Sequence, residues 1–443
     1  MEGALQRGVN WRELFARPGF RWLFLATYAS LFGTGMHYAG VTWWVQEQTH
    51  SNVQVSFIVI LVTVPGLFVP PFGGVLIDRV DRRYLGIILD VVRALVVMVP
   101  AGLGLLGQLQ LWHVFVMLAL LGVGFSIFWS TMNALVQELM HAPEDPDHGH
   151  RHLVGANSAM LIAIQGGMAT AGALVGFVYN HLGIGAILAF DGVTYLVSAL
   201  CWWRIRSGYH APHQHPDSPP PSIEAPPSAD EEDEPVLAPI IEPGIVSGFL
   251  ADLQRGLAYL RTQPRVMAIG LTHACMMAGV VSSNVVIVAL AHDLLRAGAE
   301  GFGYIESGWA VGAVLGGYAT GLVTRNLPPG VLLPMSLFTL ALGHLLFPYM
   351  KFLAVVVAVQ VLMGTCRALG GVVTQSSIMT SVPRGLMGRV QSAFSVISTL
   401  IQVVMSFSLG WVAEHLNLRI AFAIHAAIYA LAALIALRAR RLS

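Results

Sequence analysis

The chain has 443 residues, 55% hydrophobic and only 11% charged, and its 24 basic and 24 acidic residues cancel to a formal net charge of +0. A mean hydropathy of +0.67 excludes an ordinary soluble domain, and the absence of a basic surface excludes a nucleic-acid-binding protein. One helical crossing of a bilayer takes about 20 apolar residues, and the sequence offers twelve such runs.

Residues 1–19 are a polar N-terminal segment, with no cleavable signal peptide expected. The first six runs lie near 20–46, 52–77, 84–107, 110–140, 152–181 and 185–206. The first carries His37 and Tyr38 near its middle and Trp43 and Trp44 toward its outer end. His37 reads either as a proton carrier, since imidazole changes charge near neutral pH, or as a satisfied interior histidine. The two tryptophans read as interfacial anchors. Between the second and third runs stands GGVLIDRVDRR, Gly73 to Arg83, a short turn with a dense charge cluster. In the third run Asp90 and Arg93 are three apart and share a helix face. They read as a structural brace, with proton coupling as the alternative, because charges at membrane depth are functional candidates by default. The fourth run places Trp129, Asn133 and Gln137 on one face. The following HAPEDPDHGHRH, His141 to His152, reads as a solvated loop whose spacing matches no defined metal site.

Residues 207–264 differ in kind. From Ser207 to Pro243 the chain is rich in proline and acid, which predicts a disordered cytoplasmic linker with solvated His210, His213 and His215. From Ile245 to Thr262 the spacing of Phe249, Leu250, Leu253, Leu257 and Leu260 predicts an amphipathic helix lying along the membrane surface. Six further runs follow near 265–291, 301–325, 329–349, 352–381, 387–414 and 417–437, before a tail at 438–443. The seventh offers His273, Met276, Met277 and Asn284. Arg367 lies about fifteen residues into the tenth, near mid-membrane at about 1.5 Å per residue, with no acid within a turn. Its partner is expected on a neighbouring helix, such as Glu306 of the eighth, or on the substrate. Cys201, Cys275 and Cys366 read as small packing residues. Of the 24 Lys and Arg residues only Arg296, Lys351 and Arg419 fall on the far side, and Arg93 and Arg367 within the membrane. The positive-inside rule then puts both termini in the cytoplasm of a multi-pass cell-membrane protein.

GGVLIDRVDRR resembles the signature loop of the major facilitator superfamily, Gly-x-Leu-x-Asp-Arg-x-Gly-Arg-Arg. Gly74, Leu76, Asp78, Arg79, Arg82 and Arg83 match it, and Asp81 replaces the second glycine. That replacement, and PRGLMGRVQSAFS from Pro383 to Ser395, are similar to the macrolide-efflux and enterobactin-export branch of its drug:proton antiporters. HLVGANSAM, His152 to Met160, and GGYATGLVTRN, Gly316 to Asn326, hold the equivalent places in the opposite halves. The resemblance implies an all-α membrane protein with twelve transmembrane helices in two pseudo-symmetric six-helix bundles, 20–206 and 265–437. Helices one, four, seven and ten would line a central cavity, with His37, Tyr38, Trp129, Asn133, His273, Met277, Asn284 and Arg367 in its wall. It also implies a conformational latch of Gly74, Asp78, Arg79, Arg82, Arg83, Glu138 and Arg389. In that latch Asp78 docks on the start of the eleventh helix near Arg389, where a helix dipole favours a carboxylate, and Arg82 pairs with Glu138. Two departures stand against the branch. The fourth helix has no mid-membrane arginine, and GGMATAGALVGF, Gly166 to Phe177, keeps glycines for close packing without the antiporters' Gly-Pro pair.

No nucleophile–base arrangement, phosphate-cradling loop or dinucleotide fingerprint is present, so an enzyme, an ATP-driven pump and a cofactor are not expected. Tryptophan, methionine and sparse amides make a wall suited to amphipathic molecules. The function expected is a monomeric secondary transporter that uses the proton gradient to export small amphipathic compounds, drugs or siderophore-like molecules. The alternatives are an importer or facilitator for a metal complex or metabolite, and a transport-dead sensor or scaffold.

Overall fold

The computed structural model describes residues 11–68, 80–140, 146–205, 245–383 and 386–441, and among them all regular structure is helical. In chain order the helices are α1 (Trp11–Ala16), α2 (Pro18–Thr49), α3 (Asn52–Thr63), α4 (Arg82–Leu105), α5 (Leu111–Met140), α6 (Pro146–Arg204) and α7 (Ile245–Thr262). Then come α8 (Pro264–Ala289), α9 (Gly298–Asn326), α10 (Pro329–Leu346), α11 (Leu353–Ser381), α12 (Met387–His415) and α13 (Leu418–Arg441). Seven of these, α4, α5, α8 and α10 to α13, are each apolar and long enough for one crossing. The 59-residue α6 supplies two, because it breaks at Gly183, whose φ of 75° and ψ of 179° suit only a residue without Cβ. At 32 and 29 residues, α2 and α9 cross by length while carrying polar groups inward, and α3 opens the remaining crossing. The result is twelve crossings in two bundles of six.

Within the first bundle α2 runs along both limbs of α6, and α4 packs between α6 and α5. In the second, α9 lies along α11, α10 along α13, and α8 against α12 and α13. Each interior closes on large buried side chains, Phe20, Phe128, Tyr195 and Trp202 in the first and Phe347, Phe422 and Tyr429 in the second. Outward faces carry Leu95, Val99, Leu196 and Leu431 into the lipid, which costs nothing in a solvent as apolar as they are. Trp43 and Trp44, expected as interfacial anchors, are buried instead. Trp43 packs its ring on Phe302 and His292 of the other bundle, since α2 faces a protein seam at that depth and not lipid.

Two helix pairs make the main contacts between the bundles, the first limb of α6 with α9 and α3 with α12, in positions that a twofold would exchange. Small residues bring the backbones close: a Cβ at Gly176 would lie 2.2 Å from Glu300 Cα, and one at Gly410 would lie 2.6 Å from the Asn52 carbonyl oxygen. Ser307 Oγ donates to the Ala169 carbonyl at 2.9 Å, and Gln402 Nε2 donates to Thr63 Oγ1. Farther from the arginine-rich loops, Glu414 accepts from Ser51 Oγ at 2.6 Å and from the Val53 N–H at 3.0 Å, and Asn180 donates to Glu300 at 3.2 Å. These bonds run from mid-membrane to the end opposite the arginines, so that end is closed.

The helix expected to lie along the membrane surface is docked on protein. From α7, Leu253, Leu257 and buried Leu260 join Val266, Ile378, Val382, Val390 and Phe394 of α8, α11 and α12 in one apolar cluster. Gly256 makes the fit close, since a Cβ there would lie 2.4 Å from the Arg389 carbonyl oxygen. An apolar stripe of this width is satisfied equally by lipid and by three helix ends, and the helix ends are covalently nearer.

Candidate functional site

At the arginine-rich end the signature loop is described from Val80 onward, and Gly74, Asp78 and Arg79 lie outside the described residues. Asp81 caps α4, its carboxylate accepting the Arg83 N–H at 2.9 Å. This explains the aspartate where the family pattern has glycine: an N-cap acid satisfies a free N–H and the positive helix end together. Arg82 Nη1 donates to Glu138 Oε2 at 2.6 Å, tying α4 to the end of α5. Arg83 donates to the Trp203 carbonyl at 2.6 Å and so caps the C-terminus of α6. Arg389 stands in the first turn of α12, under α7. Of the histidine-rich segment after α5, residues 141–145 also lie outside the described residues, while the backbone from Pro146 is already helical.

The interior of the first bundle holds more charge than the sequence announced. Asp90 and Arg93 pair directly on one face of α4, and Asp90 also accepts Ser198 Oγ of α6 at 2.5 Å. The Arg93 guanidinium is 2% exposed and lies over the rings of Phe128 and Tyr195, 4.2 and 4.5 Å from their centroids. Cation–π contact takes the faces of the guanidinium, while its Nε and Nη1 are buried without a hydrogen-bond partner among the described residues. Beside it, His37 Nδ1 of α2 lies 2.6 Å from Asp191 Oδ2 of α6. The contact is off the line of a good hydrogen bond, and neither atom has a second partner. His37 therefore points into its own bundle and not into a central cavity, which corrects its expected place in the substrate wall. Asp191, wholly buried, was missed because it is a single acid in an apolar run whose partner sits on a distant helix. Its only sequence signal is a carboxylate at membrane depth, the same signal that marked Asp90.

The second bundle brings Arg367 and Met277 together, with Nη2 3.4 Å from the sulfur, and places His273 and Tyr429 within electrostatic reach of the guanidinium. His273 also bonds Thr374 Oγ1 at 2.9 Å, locking α8 to α11. Glu306 is not the partner of Arg367; among the described residues it makes no ion pair, and it lies within electrostatic reach of Tyr38 across the seam. Asn284 turns back on its own helix to the Val281 carbonyl at 3.2 Å, and Asn133 does the same to the Trp129 carbonyl at 2.9 Å. Trp129 is exposed and Asn133 half-buried, both on α5. So α8 and α11 present one cationic, sulfur-lined wall, while α5 presents an aromatic with amides already engaged.

Two bundles of six, exchanged by a twofold and carrying such a loop, invite comparison with known proteins. The pattern of the Major Facilitator Superfamily matches residues 23–406. The chain belongs to that superfamily. It is similar to the enterobactin exporter EntS of Escherichia coli O1:K1 / APEC, 24% identical over 393 residues, 87% of this chain and 83% of that one. The same exporter from Shigella boydii serotype 18 is 25% identical over an equal span. Among solved structures it is similar in fold to the nucleoside transporter NupG, with a TM-score of 0.70 at 12% identity over 95% of this chain and 99% of that one. The POT family transporter PepTSo gives 0.68 at 11% identity over 96% and 98%. The transporter is thus a multi-pass membrane protein for a small-molecule substrate, and the fold is that of its superfamily.

Proposed function

We infer that this transporter is a proton-coupled exporter of small amphipathic compounds that carry an anionic group, working by alternating access with both termini in the cytoplasm. The observation that carries the reading is Arg367, a cation in the second bundle that makes no ion pair among the described residues, set among Met277, His273 and Tyr429. An uncompensated guanidinium at membrane depth costs a few kcal/mol or more, and an anionic substrate or cavity water offsets that cost. The similarity to enterobactin exporters, spread over most of both chains, supports export as the direction. Closure at the end opposite the arginines supports a state open toward the cytoplasm, from which an exporter would load. The latch then belongs to the other state: Asp78 would dock on the start of α12 near Arg389, while Arg82 and Glu138 hold the loop on α5.

The test is efflux in a host stripped of its own pumps. Expression should lower ethidium accumulation and raise tolerance to macrolides and catecholate siderophores. In inverted vesicles a proton gradient should drive dye uptake that a protonophore abolishes. Unchanged accumulation and tolerance at good expression would count against export. Asp78→Asn should fold and insert but lose most transport, and normal transport by that variant would reduce Asp78 to a topology charge.

A further inference from the structure

Among the described residues, the interior of the first bundle at membrane depth contains two buried carboxylates, Asp90 and Asp191, and one permanently charged cation, Arg93. Asp90 uses that cation, Arg93, and completes its shell with Ser198. Among the described residues Asp191 makes no ion pair with an arginine or lysine. Its side-chain Oδ1 lies 3.5 Å from Thr194 Oγ1, which already donates to the Asp191 carbonyl at 2.7 Å, and its Oδ2 meets only His37. An ionised carboxylate without an ion-pair partner is costly at this depth, and a proton held on the pair removes that cost. With Nε2 protonated and a second proton between Nδ1 and Oδ2, on either atom, the pair is neutral overall. Without it, a bare carboxylate faces a neutral imidazole.

The space for this pair is built into the backbone. A Cβ at Gly33 would lie 2.4 Å from Asp191 Oδ1 and 1.8 Å from Thr194 Oγ1, so α2 is glycine where α6 needs room. The charged and titratable groups that face the pair are Tyr195 on α6, bonded to Thr34 at 3.0 Å, and Asp90 and Arg93 on α4. From the other bundle, Glu306 of α9 reaches α2 only at Tyr38. The same α2 carries Trp43 into the seam, against Phe302 and His292. One helix therefore joins the buried pair to the surface that moves when the bundles rock.

We propose that His37 and Asp191 form a binding site for one exchangeable proton inside the first bundle, released when movement of α2 lets water reach the carboxylate. The proton leaves Nδ1 or Oδ2 for that water and is replaced from the other side of the membrane, with no other bond changed. Asp191 is the group that needs the proton, and His37 holds it in place. The site's part in transport rests on the proton-coupled reading above; its existence does not.

The test counts protons. Purified full-length transporter in detergent is given a pH step, and uptake is read with an indicator dye. Asp191→Asn should take up one proton fewer than wild type, His37→Gln should keep the count and move its midpoint, and the double variant should take up no fewer than Asp191→Asn. If Asp191→Asn does not fold, Asp191→Glu should keep the count and move its midpoint. Equal uptake by wild type and Asp191→Asn, or an unmoved midpoint in Asp191→Glu, overturns the site. Gradient-driven ethidium transport by wild type in proteoliposomes separates the two ideas. Transport with equal proton counts sinks the site alone. A lost proton in Asp191→Asn without wild-type transport keeps the site and sinks the coupled-exporter reading.

Discussion

The last helix of each bundle carries the same buried arrangement in opposite chemistry. In the second limb of α6 it is Asp191 with Tyr195 one turn on, facing Gly33 of α2. In α13 it is His425 with Tyr429 one turn on, facing Gly279 of α8, where a Cβ would lie 2.7 Å from the Tyr429 hydroxyl. Both tyrosines are fully buried, at 1% and 0% exposed. Around Asp191 the bundle supplies His37 and, next door, the Asp90–Arg93 pair, so the first interior contains its own acids and bases. Around His425 it supplies His344, with ring centroids 4.2 Å apart, and beyond Tyr429 the Arg367 guanidinium. His425 Nε2 meets the Gly279 carbonyl at 2.9 Å and His344 Nδ1 the Leu340 carbonyl at 2.9 Å. Among the described residues this cluster has no acid. Among the described residues, one scaffold thus pairs its buried charges internally on one side and leaves a cation without an ion pair on the other.

Several substitutions would break or sharpen that contrast. Asp90→Asn should have the largest effect, because it strands Arg93 between Phe128 and Tyr195. Removing one partner of a buried pair costs about 3–5 kcal/mol. Asp90→Leu with Arg93→Leu should recover most of the loss in a denaturation series. If the double variant is no better than the single, the pair is not the closed unit described. Next comes Gly33→Ala, whose Cβ would collide with Thr194 and Asp191 and push α2 off α6. Overpacking of this kind costs about 1–3 kcal/mol, and monodispersity after heating should fall. Gly279→Ala is the matching test in the second bundle, and a large difference between the two would mark the halves as packed by different rules.

Arg367→Ala should insert normally and lose transport by about tenfold or more, equivalent to at least ~1.4 kcal/mol in the barrier. Arg367→Lys should fall between, since it keeps the charge without the planar fork. Wild-type rates in both would remove the anion site and with it half of the contrast. Smallest of all is Glu414→Gln at the closed end. It weakens the bonds to Ser51 and Val53, which are solvent-facing and worth about 0.5–1 kcal/mol. Distances between labels on α3 and α12 should broaden, and an unchanged distribution would mean that close packing at Gly410 alone holds the seam.

How far the site could be read in advance follows from the range of each interaction. Asp90 and Arg93 were visible as a pair because both sit on one helix and their spacing fixes their common face. The Arg82–Glu138 contact could be expected from the resemblance, since it joins the ends of successive helices. Asp191 and His37 could not be paired this way. They stand on the first and sixth crossings, and whether they meet depends on how each helix is rotated about its own axis. The same rotation decided that His37 turns inward, that Trp43 meets the second bundle instead of the headgroups, and that Glu306 faces Tyr38 and not Arg367. No periodicity carries that angle, because apolar residues surround both helices on nearly every side.

By itself the sequence determined the membrane class, the twelve crossings and the break at Gly183, because each depends on local hydropathy, length or one glycine's φ. It also determined the charge asymmetry and the amphipathic stripe of α7. Only the tertiary structure decided that α7 lies on the ends of α8, α11 and α12, that the bundles are closed at the end opposite the arginines, and that a carboxylate in α6 meets an imidazole in α2. These depend on which surfaces meet, and in a bilayer, where apolar side chains gain little by leaving lipid, that choice rests on close packing at glycines and on where each buried charge finds its counterpart.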